Sequence, residues 1–187
     1  MEQEMINEIK QSVISMEDAV ERLKKELTKI RTGKASPSMI ADLLVDYYGT
    51  MTPLSQVANV STPDSKTLSI QPWEKSMLGP IEKSIFEANM GLTPMNNGEL
   101  VMITIPPLTE ERRKQMAKQG KALGEEAKVS FRSARQKAMN AVKKAVKDGF
   151  PEDSGKDKEA EIQKTVNGFS AKVDELIAAK EKDILTV

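Results

Sequence analysis

TEERRKQMAKQGKALGEEAKVSFRSARQKAMNAVKKAVKDGF, residues 109–150, sets twelve Lys and Arg against five Asp and Glu, and it reads as one long helix. At about 100° per residue, Met116, Leu123, Ala127, Phe131, Ala134, Ala138, Ala141 and Ala145 fall between about −20° and +60° of a common direction. That is an apolar stripe. Thr109 stands where an N-cap belongs, with Glu110 and Glu111 favourably placed against the positive end of the helix dipole. Lys114, Lys118, Lys121, Lys128, Arg132, Arg135 and Lys143 fall between about 100° and 200°, so seven cations share one flank of the same helix. Of the acids, only Glu110, Glu111, Glu125 and Glu126 dilute it.

The whole chain carries no net charge, which hides this segment: 109–150 has an excess of seven positive charges, offset by −1 over 1–31, −3 over 32–108 and −3 over 151–187. Neighbouring like charges on a helix each cost a few tenths of a kcal/mol, and a phosphate-rich partner relieves that repulsion. The flank therefore points to nucleic acid rather than to a merely solvated face. No aromatic set interleaves the cations, so shape and backbone contacts are favoured over base reading.

Outward from this helix, the flanking segments carry matching seams. Ile6, Ile9, Val13, Met16, Val20, Leu23, Leu27 and Ile30 alternate in steps of three and four, a heptad seam that predicts a helix over 3–31. Ile162, Val166, Phe169, Val173, Leu176, Lys180 and Ile184 repeat the device near the C-terminus. Ser154 with Asp157 reads as a capping box opening that last helix, making 150–155 a tight connection. Three stripes of this kind form a three-helix bundle.

Between the first two long helices the pattern changes. Residues 42–48, 57–62, 67–72 and 99–105 read as strands, with one helix over 75–89 whose Pro80 is tolerable near the first turn and which Gly91 closes. Trp73 is expected to pack inside this region. The expected organisation is therefore α+β: a bundle formed by 1–32 and 107–187, carrying an inserted β/α/β domain, 33–106. Thr32-Gly33 and Pro106-Pro107 mark the two crossings, and either form a hinge or simply break secondary structure.

Composition narrows the chemistry. Zero Cys and zero His remove disulfides, thiolate zinc sites, the usual general base and the commonest metal ligand. No apolar run approaches a membrane span, and the N-terminus has no signal-peptide pattern, so a soluble, cytoplasmic protein is expected. Gly33-Lys34-Ala35-Ser36 resembles the end of a phosphate-binding loop but fails it: the first glycine would be Thr28, and Ala35 replaces the magnesium-holding hydroxyl. An enzyme is not expected, and neither is a cofactor or metal. Besides RNA binding, the helices leave open a coiled-coil adaptor or chaperone-like module that binds proteins.

Ile30-Arg31-Thr32-Gly33-Lys34-Ala35-Ser36-Pro37, Tyr47-Tyr48-Gly49-Thr50 with Thr52-Pro53-Leu54, and Pro106-Pro107-Leu108-Thr109-Glu110-Glu111-Arg112-Arg113-Lys114 resemble the bacterial ribosome-recycling factors, in the same order and along essentially the full chain. The resemblance implies an L-shaped molecule, its long antiparallel three-helix bundle joined to the small domain by a flexible elbow. It also implies a role after termination of translation. The factor would bind the 70S ribosome through large-subunit ribosomal RNA and, with elongation factor G and GTP hydrolysis by that partner, separate the subunits. A monomer is expected. The family's RNA-contacting arginines correspond to Arg113, Arg132 and Arg135; where the family often has a further arginine, this chain has Gln136. Met51 stands where the family commonly has proline.

Overall fold

The computed structural model describes residues 1–88 and 91–186. They fall into two compact units, one made of Met1–Ile30 with the chain from Glu111 onward, the other of Arg31–Glu110. The crossings at Thr32-Gly33 and Pro106-Pro107 lie a few residues inside the ends of the second unit.

The first unit holds three helices: α1 (Glu2–Thr28), α3 (Glu110–Lys147) and α4 (Glu152–Leu185). At about 1.5 Å per residue, α3 alone is about 57 Å long. Helix α1 stops at Thr28, three residues short of the expected end, but Ile30 beyond it is still buried. Met5, Ser12, Met16, Ala19, Val20, Leu23 and Leu27 line its buried face, whereas Ile6, Ile9 and Val13 of the expected seam are only half-buried, so the face is turned from the heptad seam over the first half of the helix. Ser12 is admissible there because its hydroxyl donates to the Glu8 carbonyl at 2.9 Å.

Helix α3 runs antiparallel to both others. A Cβ placed on Gly120 would lie 3.9 Å from Leu27 and 3.8 Å from Ile30, whereas Met1, Glu4 and Met5 share a groove with Asn140, Lys144 and Ala145 at the opposite end. Gly155 meets Val146 and Gly124 meets Ile177, which fixes the same relation to α4. Phe131, fully buried, packs against the half-buried Phe169 with ring centroids 5.6 Å apart.

The expected capping box does not form. Helix α4 begins at Glu152 behind Pro151, so Ser154 and Asp157 are already helical, and no side chain caps the N-terminus. Proline presets the entry, and Glu152 and Asp153 complement the dipole in place of a cap. The connection is shorter than expected, with Gly149 at φ +113° and the Phe150 amide donating to the Ala145 carbonyl at 2.9 Å.

Among the described residues, the second unit holds six strands, one α-helix and three 3-10 turns. β1 (Leu44–Tyr47) and β2 (Thr50–Pro53) form a hairpin, while β3 (Ala58–Asp64), β4 (Thr67–Pro72), β6 (Val101–Thr104) and β5 (Pro94–Asn96) form an antiparallel sheet in the order β3-β4-β6-β5. Helix α2 (Leu78–Glu87) buries Leu78, Ile81 and Ile85, in one core with Leu68, Ile70, Val101 and Ile103 of the sheet. Residues 75–77 form a 3-10 turn ahead of it; the expected helix end at Asn89 lies outside the described residues.

Trp73 corrects the expectation of a packed indole: it is 67% exposed. In β4, Leu68, Ser69, Ile70 and Pro72 are buried, and Trp73 follows just past the strand's end.

Candidate nucleic-acid interface

The buried arc of α3 is wider than its sequence stripe. Besides Ala127, Phe131, Ala134, Ala138 and Ala145, it includes Ala117, Gly120, Gly124, Met139 and Val142. On the same angular scale these additions extend the buried arc to about 140°, into the flank that carries the cations. The cause is α4, which packs along this side through Val173 and Ile177 against Gly124. Leu123 and Ala141, on the opposite edge of the stripe, are only half-buried, as is Met116 near the start of the helix.

This asymmetry sorts the seven cations into two rows. Those nearer the core, at about 100° to 140°, reach α4. Lys121 pairs with Glu181 at 3.5 Å, Lys128 with Asp174 at 2.7 Å, and Arg135 donates through Nε to the Gln163 side-chain oxygen at 2.7 Å. Lys128 also lies 4.0 Å from Glu125. Its hydrogen bond to Asp174 holds its pKa above the usual lysine value, with Arg132 opposing that from nearby.

The outer row, at about 160° to 200°, consists of Lys114, Lys118, Arg132 and Lys143, all exposed. Among the described residues, Lys118, Arg132 and Lys143 make no hydrogen bond or ion pair. Arg113 sits apart near the start of α3, half-buried, with a buried Nε that finds no acceptor among the described residues. An unsatisfied buried guanidinium nitrogen is costly unless an anion meets the group. Gln136 turns along its own helix, donating to the Asn140 side-chain oxygen at 2.9 Å, and adds nothing to either row.

Sequence reasoning located the flank but not its division, because the partners Gln163, Asp174 and Glu181 lie on another helix. Lys121 and Lys128 stand seven apart, as do Glu181 and Asp174 in the opposite direction, whereas Gln163 falls outside that repeat; the match is a signal usable only once the pairing of the two helices is known. Among the described residues, no group of three or more carboxylates is placed to hold a metal ion, and no helix is long and apolar enough to cross a membrane.

At the crossings, Gly33 adopts φ +77° against Leu108. The Ala35 amide donates to the Ser65 carbonyl at 2.7 Å and the Ile105 amide to the Lys66 carbonyl at 2.6 Å. Both crossing segments are thus tied to the single turn between β3 and β4.

Comparison with known proteins gives this arrangement a context. The family model described as Ribosome recycling factor matches residues 23–185. The ribosome-recycling factor of Porphyromonas gingivalis is 52% identical over 180 residues, covering 96% of this chain and 97% of the relative; that of Christiangramia forsetii is 54% identical over 172 residues, covering 92% of each. A solution structure of a ribosome recycling factor superposes with a TM-score of 0.80 at 33% identity, covering 98% of both chains. Models for the T. thermophilus ribosome recycling factor and the E. coli elongation factor G bound to the E. coli post-termination complex include a chain that matches with a TM-score of 0.65 at 40% identity, covering 97% of this chain and 98% of that one. With the family model spanning most of its length and half its residues shared with such relatives, this chain belongs to the ribosome-recycling factor family.

Proposed function

We propose that this protein binds the post-termination ribosome through large-subunit ribosomal RNA and, together with elongation factor G and the GTP that partner hydrolyses, separates the subunits for another round of translation. The observation that carries the RNA-binding part is the outer row of α3. Lys114, Lys118, Arg132 and Lys143 project on one exposed flank, and Lys118, Arg132 and Lys143 make no hydrogen bond or ion pair among the described residues, whereas Glu181 and Asp174 of α4 engage Lys121 and Lys128 of the inner row. A row of cations along one helix flank suits a phosphate backbone by charge, without reading bases.

The protein acts without catalysis of its own, as a monomer whose inserted unit moves about the crossings at Thr32, Gly33, Pro106 and Pro107. The solved ribosome-bound relative is the reason for preferring this reading to a protein-binding adaptor. The test is co-sedimentation with 70S particles over a salt series, followed by subunit splitting with elongation factor G and GTP. Arg132→Ala and Arg135→Ala should each weaken binding and lower the slope of log K against log[salt] by about one unit. Binding insensitive to salt and to the double substitution excludes the RNA face and favours an adaptor.

A further inference from the structure

Arg135 is held differently from the lysines beside it. Lys121 and Lys128 are met by carboxylates, which cancel their charge, whereas Arg135 is met by the neutral amide of Gln163. Nε of a guanidinium can only donate, so the Gln163 oxygen must face it, and the Gln163 nitrogen is left to donate elsewhere. It does so, to the Asn167 side-chain oxygen at 2.9 Å, one helical turn further along α4. Asn167, Gln163 and Arg135 thus form a directed relay from one helix to the next.

An arginine anchored through Nε has its plane fixed while both terminal nitrogens stay unspent. Those are the two donors that grip a phosphate in the bidentate manner, and the positive charge is undiminished because the anchor is uncharged. Arg132, one turn away and without a partner among the described residues, supplies a second cation beside it. An aspartate or glutamate at 163 would hold the guanidinium equally well and cancel its charge; an apolar residue would leave it free to wander.

Resting on the RNA-binding reading above, we propose that Gln163 is a positioning residue for ribosomal RNA: with Asn167 behind it, it presents the Arg135 guanidinium to a backbone phosphate without neutralising it.

The test uses the full-length protein and isolated bacterial large ribosomal subunits, with equilibrium co-sedimentation at several KCl concentrations. Gln163→Leu should weaken binding about three- to tenfold with the salt slope unchanged, since no charge is lost. Gln163→Glu should instead lower the slope by about one unit, as Arg135→Ala does. Asn167→Ala, at an exposed position, should weaken binding in the same sense as Gln163→Leu, less strongly and without loss of thermal stability. In an Arg135→Ala background, Gln163→Leu should cause no further weakening. Equal weakening in both backgrounds, or none in the wild-type background, overturns the positioning role while Arg135→Ala still weakens binding. If Arg135→Ala and Arg132→Ala both bind as wild type, the RNA face itself fails and the inference falls with it.

Discussion

Gly124 of α3 faces Ile177 of α4 so closely that a Cβ on the glycine would lie 2.8 Å from the isoleucine Cγ1. Gly155 stands in the same relation to Val146, at 2.6 Å. These glycines let the two helix backbones approach, and that approach brings Asp174 and Glu181 within reach of Lys128 and Lys121.

Alanine at either position gains about 1 kcal/mol of helix propensity but forces apart a contact with a branched side chain that has little rotameric freedom, at about 1–3 kcal/mol. Gly124→Ala and Gly155→Ala should therefore lower Tm by a few degrees. Gly168→Ala in α4, where a Cβ meets nothing within 4 Å, should raise it instead. Thermal unfolding of the three variants checks this, and Tm values rising in all three would mean that the helices can separate at no cost.

Asp174→Asn should increase affinity for the ribosome. Its carboxylate holds Lys128 through a hydrogen bond that also raises the lysine pKa, so removing the charge returns a free cation to the flank. The expected result is a severalfold gain in binding to large subunits, with a salt slope steeper by about one unit. The fold should change by no more than about 1 kcal/mol, because Asp174 is largely exposed. The stabilising effect of a raised lysine pKa is complete below the unfolded value of 10.5 and fades only as pH rises through the higher folded one. The stability difference between the two proteins should thus stay constant between pH 6 and about 9.

A different pH window belongs to Asp64, at the turn between β3 and β4. Its carboxylate accepts from the Lys66 amide at 2.8 Å and from the Thr67 hydroxyl at 3.1 Å, and the Lys66 hydrogen bond is the main reason its pKa lies below the ordinary 3.8. A depressed carboxyl contributes stability that is present above the unfolded pKa and lost as pH falls through the folded one. Asp64→Ala should lower the Tm of the inserted unit at pH 7. The gap should close on acidification below about pH 4, as followed by far-ultraviolet circular dichroism.

Much of this organisation is legible in the sequence, and the parts that are not share a physical cause. The stripe of Ala127, Phe131, Ala134 and Ala138 is buried as its period requires. Gly120, Gly124 and Gly155 escaped because glycine has no side chain to register as apolar, although it is the residue that allows two helices to touch. Strand β2 and the proline-led β5 are too short for alternation to show, and both are placed by their neighbours: β2 by the hairpin turn at Tyr48-Gly49, β5 by pairing with β6. Trp73 illustrates the converse, since an aromatic between a strand and a helix has no period to reveal which way it faces. The flank of α3 was legible as charge, but the partners that divide it lie on α4, about 30 to 60 residues away in sequence, and only the bundle brings them together.

The crossing at Gly33 supplies the last prediction. Its φ of +77° lies in the left-handed region, and a Cβ there would also come 3.3 Å from Leu108 Cγ on the returning segment. Gly33→Ala should therefore cost about 1–2 kcal/mol of backbone strain. Gly98, at φ +91° with nothing within 4 Å of a Cβ, lies in the same unit and gives a control with similar strain away from the crossing. Hydrogen bonds from Ala35 to Ser65 and from Ile105 to Lys66 bind both segments to one turn, so the proposed hinge is confined to the few residues on the bundle side of these bonds, Gly33 among them. If the hinge works as proposed, Gly33→Ala should bind ribosomes within about twofold of wild type, through the bundle, yet split subunits several times more slowly with elongation factor G and GTP. Gly98→Ala should lose comparable stability and split at the wild-type rate. Equal splitting rates for the two variants would make Gly33 a turn residue alone and remove the hinge from the mechanism, leaving the RNA face untouched.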